Sequence, residues 1–175
     1  METSQFFLLI MLFITLGPTN SIYVVDTICQ KTPFYKLCYD SLSSNLQPMS
    51  SDVKGVTSAM ANLVLANATD TLSYINLLIK QCTEPSSEQP LAYCAELFIP
   101  VVRYNIPQAI SALSRGHLGF AGFAIADAAK QAVNCEKAFL KSASSSPLTS
   151  RNTILSDLCN VAVAIINSVI KKQLG

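Results

Sequence analysis

The chain has 175 residues, a formal net charge of +1, six cysteines and a single histidine. Half of its residues are hydrophobic and only 13% are charged, the mark of a well-packed body. Its basic residues are scattered, with no stripe of Lys and Arg interleaved with aromatics, which argues against nucleic acid as a partner.

Phe6 to Leu16 is a short apolar run followed by Gly17, Pro18 and small polar residues. A membrane-spanning helix needs about 20 apolar residues, so this run is too short to cross a bilayer and suits the core of an export signal. Glu2 offsets the amino terminus and no Lys or Arg precedes the run, so its charged flank is weak. Residues 1–22 are read as a signal peptide and 23–175 as one mature domain, with no membrane association once the signal is removed.

From Asp26 to Leu46 short helical pieces are broken at Pro33, giving an N-terminal hairpin over 26–46. Gln47-Pro48-Met49-Ser50-Ser51 punctuates the chain, and Ser51 or Asp52 can cap the next helix. Asp52 to about Gln81 repeats apolar residues at intervals of three and four: Val53, Val56, Met60, Leu63, Val64, Thr71, Tyr74, Leu77 and Leu78. Asn67 and Asp70 interrupt that stripe, so either the buried face drifts or a partly exposed turn lies there. Asn67-Ala68-Thr69 is the single N-glycosylation sequon. Thr83 to Pro90 is read as a polar loop.

Leu91 to Leu113 forms a third helix with Leu91, Cys94, Phe98, Val101 or Val102, Ile106, Ile110 and Leu113 on one side. Pro100 and Pro107 lie inside it, and each removes an internal hydrogen bond, so a bend is expected. Ser114-Arg115-Gly116-His117-Leu118-Gly119 turns the chain, and an alanine-rich helix runs from Phe120 to about Lys141. After a small-residue linker over Ser142 to Ser146, the last helix is expected to begin near Asn152 as its cap. Leu155, Leu158, Ala162, Ile165, Ile166, Val169 and Ile170 form its stripe, and Lys171 and Lys172 suit its C-terminal dipole. The fold class is all-α: an up-down-up-down four-helix bundle over 51–173 carrying the N-terminal hairpin.

All six cysteines follow the signal, and an even number in an exported chain favours disulfides over metal ligation. Zinc finds no support, since there is no Cys-x-x-Cys pair and one histidine. Cys29 and Cys38 flank Pro33 closely enough for a local clip. If the chain turns back after Ser114, Cys94 and Cys135 come level on neighbouring antiparallel helices. Cys82 and Cys159 remain as a third bridge or as buried thiols, and both readings stay open.

Four segments then resemble one known group. Ile28-Cys29-Gln30-Lys31-Thr32-Pro33 leading to Cys38 is similar to the opening of the plant invertase/pectin methylesterase inhibitor family. Leu91 to Phe98 around Cys94 and Asn134 to Phe139 around Cys135 are similar to its third- and fourth-cysteine segments. Ser146-Pro147-Leu148-Thr149-Ser150-Arg151-Asn152 resembles the helix start of its invertase-inhibitor and pollen-allergen-like branch. The resemblance spans the mature chain. It implies a four-helix bundle with an N-terminal helical hairpin and disulfides Cys29–Cys38 and Cys94–Cys135, with Cys82 and Cys159 extra to that pattern. It implies action by protein–protein binding, either plugging a sucrose-cleaving glycosidase or capping a pectin-demethylating esterase. Inhibitors of the first kind present a Pro-Lys-Phe motif at the turn between the second and third bundle helices. Counting back from Cys135 puts Gly116-His117-Leu118 there, and none of the three matches the motif.

No converging acid, base or nucleophile is legible, so the chain is read as an inhibitor and not as an enzyme, needing no cofactor. Asp127 and Glu136 are read as solvated surface carboxylates. Arg115, Gly116, His117 and Leu118 are the candidate target-binding residues, with His117 and Leu118 projecting into an acidic sugar-binding cleft and Arg115 in support. Histidine titrates near apoplastic pH, so inhibition is expected to strengthen as pH falls through that range. The expected partner is a plant invertase, with pectin methylesterase as the alternative and a small secreted lipid carrier as a third reading. The expected location is the apoplast or vacuole, and the expected state is monomeric.

Overall fold

The computed structural model describes residues 18–44, 52–142 and 145–174. No strand occurs among them, and helices account for nearly all of them. The apolar run read as an export signal, the break at 47–51 and residues 143–144 of the last linker lie outside the described residues.

Two short helices come first, α1 (Pro18–Cys29) and α2 (Tyr35–Ser43). The first starts earlier than the expected Asp26. Pro33 has no N–H to continue it, and the turn closes instead through Lys31 N–H to Ile28 C=O and Thr32 N–H to Cys29 C=O, each 3.0 Å. Cys29 and Cys38 are bridged, with Cα atoms 5.5 Å apart. The Tyr35 hydroxyl donates to Asp26 Oδ1 at 2.8 Å, a second tie across the hairpin that holds its pKa above the usual tyrosine value. Val25, Ile28, Cys38 and Leu42 are buried, and the hairpin packs on the first and last long rods.

The first rod is α3 (Val53–Gln81), opened by Asp52, whose carboxylate accepts the Gly55 N–H at 2.8 Å. Its buried stripe is Val56, Met60, Ala61, Val64, Ala68, Thr71 and Ile75. Ala68 and Ile75 carry the stripe past Asn67 and Asp70, while Leu77 falls on the exposed side. The face therefore drifts around one continuous helix, and no exposed turn interrupts it.

The second rod is a single continuous unit of three pieces: α4 (Pro85–Pro100), a π turn (Val101–Asn105) and α5 (Ile106–Ser114). It begins inside the stretch expected to be a loop. Pro85 occupies the first helical turn, where its missing N–H costs nothing, and Glu84 C=O takes the N–H groups of Ser87 and Glu88. Where a bend was expected from Pro100 and Pro107, the structure has a π turn. Pro107 cannot donate to the carbonyl of Arg103 and its ring would crowd that oxygen; one extra residue in the turn relieves this, with Ile106 N–H donating to Val101 C=O. The buried positions show the insertion directly. Phe98 and Val101 are three apart, then Val101 and Ile106 are five apart, and the stripe continues through Ala109, Ala112 and Leu113. The wider step returns the apolar face to the core.

The third rod, α6 (Leu118–Lys141), packs on the fourth, α7 (Thr149–Leu174), over the largest contact in the fold. Its core face is small: Ala121, Gly122, Ala124, Ala128, Ala129 and Ala132 beside Ile125. A Cβ at Gly122 would meet Ile166 Cγ2 at 3.5 Å, so the two helices already lie in close contact there. Cys94 and Cys135 are bridged with Cα atoms 4.8 Å apart, tying the second rod to the third.

Helix α7 begins at Thr149, so Asn152 is not a cap. It lies inside the first turn, 4% exposed, and its amide donates to Glu136 Oε2 at 2.9 Å and to Cys135 Sγ at 3.3 Å. Leu155, Leu158, Cys159, Ala162, Ile165 and Ile166 are buried in the common core. That helix is long and apolar enough to cross a bilayer, yet its stripe is spent on packing against the other rods. Arg151 ion-pairs with Asp70 and lies 4.4 Å over the Tyr74 ring, fastening α7 to α3.

Cys82 and Cys159 are not bridged to each other. The third-bridge reading is corrected by placement: Cys82 is half-buried just past the end of α3, with its thiol on Glu84 C=O, and Cys159 is buried within α7. Burial pushes the Cys159 thiol pKa up to about 12, which makes it inert as a thiolate.

Candidate functional site

The alternating direction of the rods brings the start of α3, the end of α5, the start of α6 and the end of α7 to one end of the bundle. The α5–α6 turn is its apex. Arg115 caps α5 and Gly116 takes φ +81, a left-handed conformation that glycine adopts without a Cβ clash. His117 N–H donates to Ala112 C=O at 2.9 Å and Gly116 N–H to Leu113 C=O at 3.1 Å. This paired pattern satisfies the last carbonyls of α5 and stops the helix. His117 then sits at φ −82, ψ 64, and Leu118 N–H donates to Gly116 C=O at 3.0 Å, a three-residue turn that starts α6 at once.

The four sequence-predicted residues are therefore together in one tight turn. Arg115, Gly116 and His117 are exposed and Leu118 is half-buried. Arg115 is less free than expected, because it folds back along α5: its Nε donates to Ser111 C=O at 3.2 Å and its Nη2 to Ser111 Oγ at 3.0 Å. His117 is the N-cap residue of α6 and makes no side-chain cap bond, so its ring is available to a partner.

Beside the turn runs an open groove of ≈ 750 Å³, bounded by residues 115–120 and by Ile170 and Gln173 of α7. Phe120, on this groove, is 54% exposed, and Phe123, one turn further along α6, is 69% exposed. The sequence reading placed both on this helix but gave neither a role in the site. The signal was present: with alanines at 121, 124 and 128 on the core face, phenylalanines at 120 and 123 fall outside it. The same end gathers Lys54, Arg115, Lys171 and Lys172, while its carboxylate Asp52 is engaged on Gly55 N–H. Among the described residues this end is cationic, and its exposed aromatic side chains are of the kind enriched at protein interfaces.

Asp127 and Glu136 are corrected from solvated carboxylates to internal acceptors. Asp127 Oδ2 accepts from Asn105 Nδ2 at 2.9 Å and from Gln131 at 3.3 Å. Glu136 accepts from Thr149 at 2.5 Å, Ser146 at 2.9 Å and Asn152 at 2.9 Å. Burial pulls the Glu136 pKa up, but the donors from Thr149, Asn152 and Ser146 outweigh it and hold the carboxyl below its ordinary value. Neither group converges with a nucleophile. Among the described residues no three His, Cys, Asp or Glu side chains are placed to hold a metal ion.

Asn67 lies mid-helix in α3, half-buried, and its Oδ1 is enclosed without a hydrogen-bond partner among the described residues. Thr69 Oγ1 donates to Leu65 C=O at 2.7 Å. The sequon thus sits on a folded helix and not in a loop.

A family model described as plant invertase/pectin methylesterase inhibitor matches residues 23–165. The chain is 30% identical over 152 residues to the cell wall / vacuolar inhibitor of fructosidase 1 of Arabidopsis thaliana, covering 86% of this chain and 72% of that protein. It is 27% identical over 166 residues to a pectinesterase inhibitor of Actinidia deliciosa, covering 91% and 89%. The fold matches the crystal structure of a mutant form of an Arabidopsis pectin methylesterase inhibitor with a TM-score of 0.71 at 21% identity, over 82% of this chain and 95% of that one. With its helical bundle, its two disulfides and this match over most of its length, the chain belongs to the plant invertase/pectin methylesterase inhibitor family.

Proposed function

We infer that this protein is an inhibitor of a plant invertase, acting by insertion of the α5–α6 apex into the enzyme's sugar-binding cleft. The observation that carries the reading is the similarity to a fructosidase inhibitor across 86% of the chain. The charge of the apex supports it. A glycosidase places two carboxylates about the bond it cleaves, so its cleft is acidic. Lys54, Arg115, Lys171 and Lys172 complement such a cleft and speed encounter with it. The likeness to a pectinesterase inhibitor keeps that enzyme as the comparison target. The chain itself has no catalytic role in this reading. It is exported by residues 1–22 and works as a monomer in the cell wall or vacuole, the places named for its fructosidase-inhibitor relative.

The test is side-by-side inhibition of purified invertase and pectin methylesterase by the mature protein. Inhibition of invertase alone is expected; inhibition of the esterase alone would reverse the assignment. His117→Ala and Leu118→Ala are each expected to weaken invertase inhibition roughly tenfold, the effect of losing one well-packed interface contact. Unchanged potency in both would remove the apex from the interface.

A further inference from the structure

We propose a second binding site, at the opposite end of the bundle from the apex, for an acidic sugar. A cleft of ≈ 440 Å³ lies between α4 and α6 near the Cys94–Cys135 bridge, within the size range of small-ligand sites. Gln89 and Tyr93 line it from α4, and Asn134, Lys137 and Lys141 from α6. Positions 89 and 93, and again 137 and 141, are four apart, so each rod stacks its polar groups one above the other on the cleft side.

The chemistry of the lining selects the ligand. Lys137 and Lys141 are exposed ammonium groups. The ion pairs of the described residues, Lys36–Asp40 and Arg151–Asp70, leave both unpaired. Glu136, the carboxylate next to Lys137 in sequence, is turned away onto Ser146, Thr149 and Asn152. Glu88 and Glu96 stand on α4 outside the lining. The cleft therefore carries uncompensated positive charge over the span of one helical turn, enough to hold a single carboxylate. Tyr93, 44% exposed, offers a ring face for the C–H side of a pyranose and a hydroxyl at its edge. The Gln89 and Asn134 amides each present donor and acceptor, the pairing that vicinal hydroxyls require. Two cations beside one aromatic and two amides match a uronic acid. They do not match nucleic acid, which needs an extended basic stripe.

The site is independent of the apex, so its failure leaves the inhibitor reading untouched. The experiment is NMR titration of the mature protein with galacturonate, trigalacturonate, methyl-esterified trigalacturonate and citrate. Both uronates are expected to shift the resonances of Tyr93, Asn134, Lys137 and Lys141. Tighter binding of the trimer would identify a polymer segment as the ligand, and equal binding a free sugar acid. Lys137→Ala/Lys141→Ala is expected to weaken binding roughly five- to tenfold, as loss of solvent-edge charged contacts does. Tyr93→Ala should weaken it as well, with invertase inhibition unchanged in both variants. Equal binding of the esterified trimer would overturn the proposal. So would citrate binding as well as galacturonate, which would mark a bare anion patch, and so would no shift at about 10 mM ligand, a weakness beyond specific recognition.

Discussion

Glu136 is the residue on which the start of α7 is hung. Ser146 and Thr149 reach it from the segment entering the helix and Asn152 from inside the first turn. Ser146 Oγ also accepts the Leu148 N–H at 3.1 Å, so the connection is fixed from both sides. Hydrogen bonds to a charged acceptor are stronger than neutral ones, though solvent access at this half-buried site reduces the gain. Glu136→Gln is expected to cost about 1 kcal/mol at neutral pH, or roughly 2–4 °C in Tm. The carboxyl pKa is depressed in the fold. Its stabilisation is therefore present above the unfolded-state pKa and lost as pH falls through the folded-state value. Thermal melts at pH 7 and at pH 3 check this: the gap between parent and variant should close in acid, and an unchanged gap would refute the role. At this scale the sequence was least legible. Glu136, Asn152 and Asp127 are ordinary polar residues on helices, and only the packing of two rods reveals which donors face which acceptors. His117 and Gly116 were legible because a glycine between two helical patterns has a conformational reason to be there.

The second rod shows how an element accommodates residues that oppose it. Two prolines seven residues apart would break a regular helix, and the chain answers with a π turn between them. That turn is held from outside by Asn105, whose amide reaches Asp127 on α6. Asn105→Ala is expected to destabilise the bundle by about 1 kcal/mol, the net worth of one part-buried hydrogen bond, and to lower Tm by roughly 2–4 °C. Amide hydrogen exchange supplies a local readout: Ile106 and its neighbours should exchange faster in the variant, and a loss spread evenly over all four rods would count against a local role. The sequence foretold a departure from regular helix here because proline chemistry is local. The reading of Leu91 to Leu113 as one helix running past both prolines also holds; what the sequence did not foretell is that α4 would begin at Pro85, because that start depends on burying Leu91 and Phe98 against neighbouring rods. Tertiary burial overrode the loop composition of Thr83 to Pro90.

For the whole molecule, the question is what would keep the apex in one shape during the insertion into an enzyme proposed above. The turn is short, and its geometry is set by the relation of the second and third rods, which the Cys94–Cys135 bridge fixes at their far end. The bridge spans a sequence separation of 41. In the chain-entropy account, closing a loop of that length disfavours the unfolded state by about 4 kcal/mol. The Cys29–Cys38 bridge spans 9 residues, and the same account gives it about 3 kcal/mol. Its hairpin lies on α3 and α7, away from the rods that form the apex. The two bridges should therefore separate in function. Cys94→Ser/Cys135→Ser is expected to lower Tm by roughly 8–16 °C and to weaken invertase inhibition at temperatures where the parent is still fully active. Cys29→Ser/Cys38→Ser should lower Tm by less and leave inhibition at 25 °C intact. Melting curves and inhibition constants for both variants decide the matter: equal loss of potency in the two would show that the hairpin, and not the stapled second and third rods, also governs the binding end.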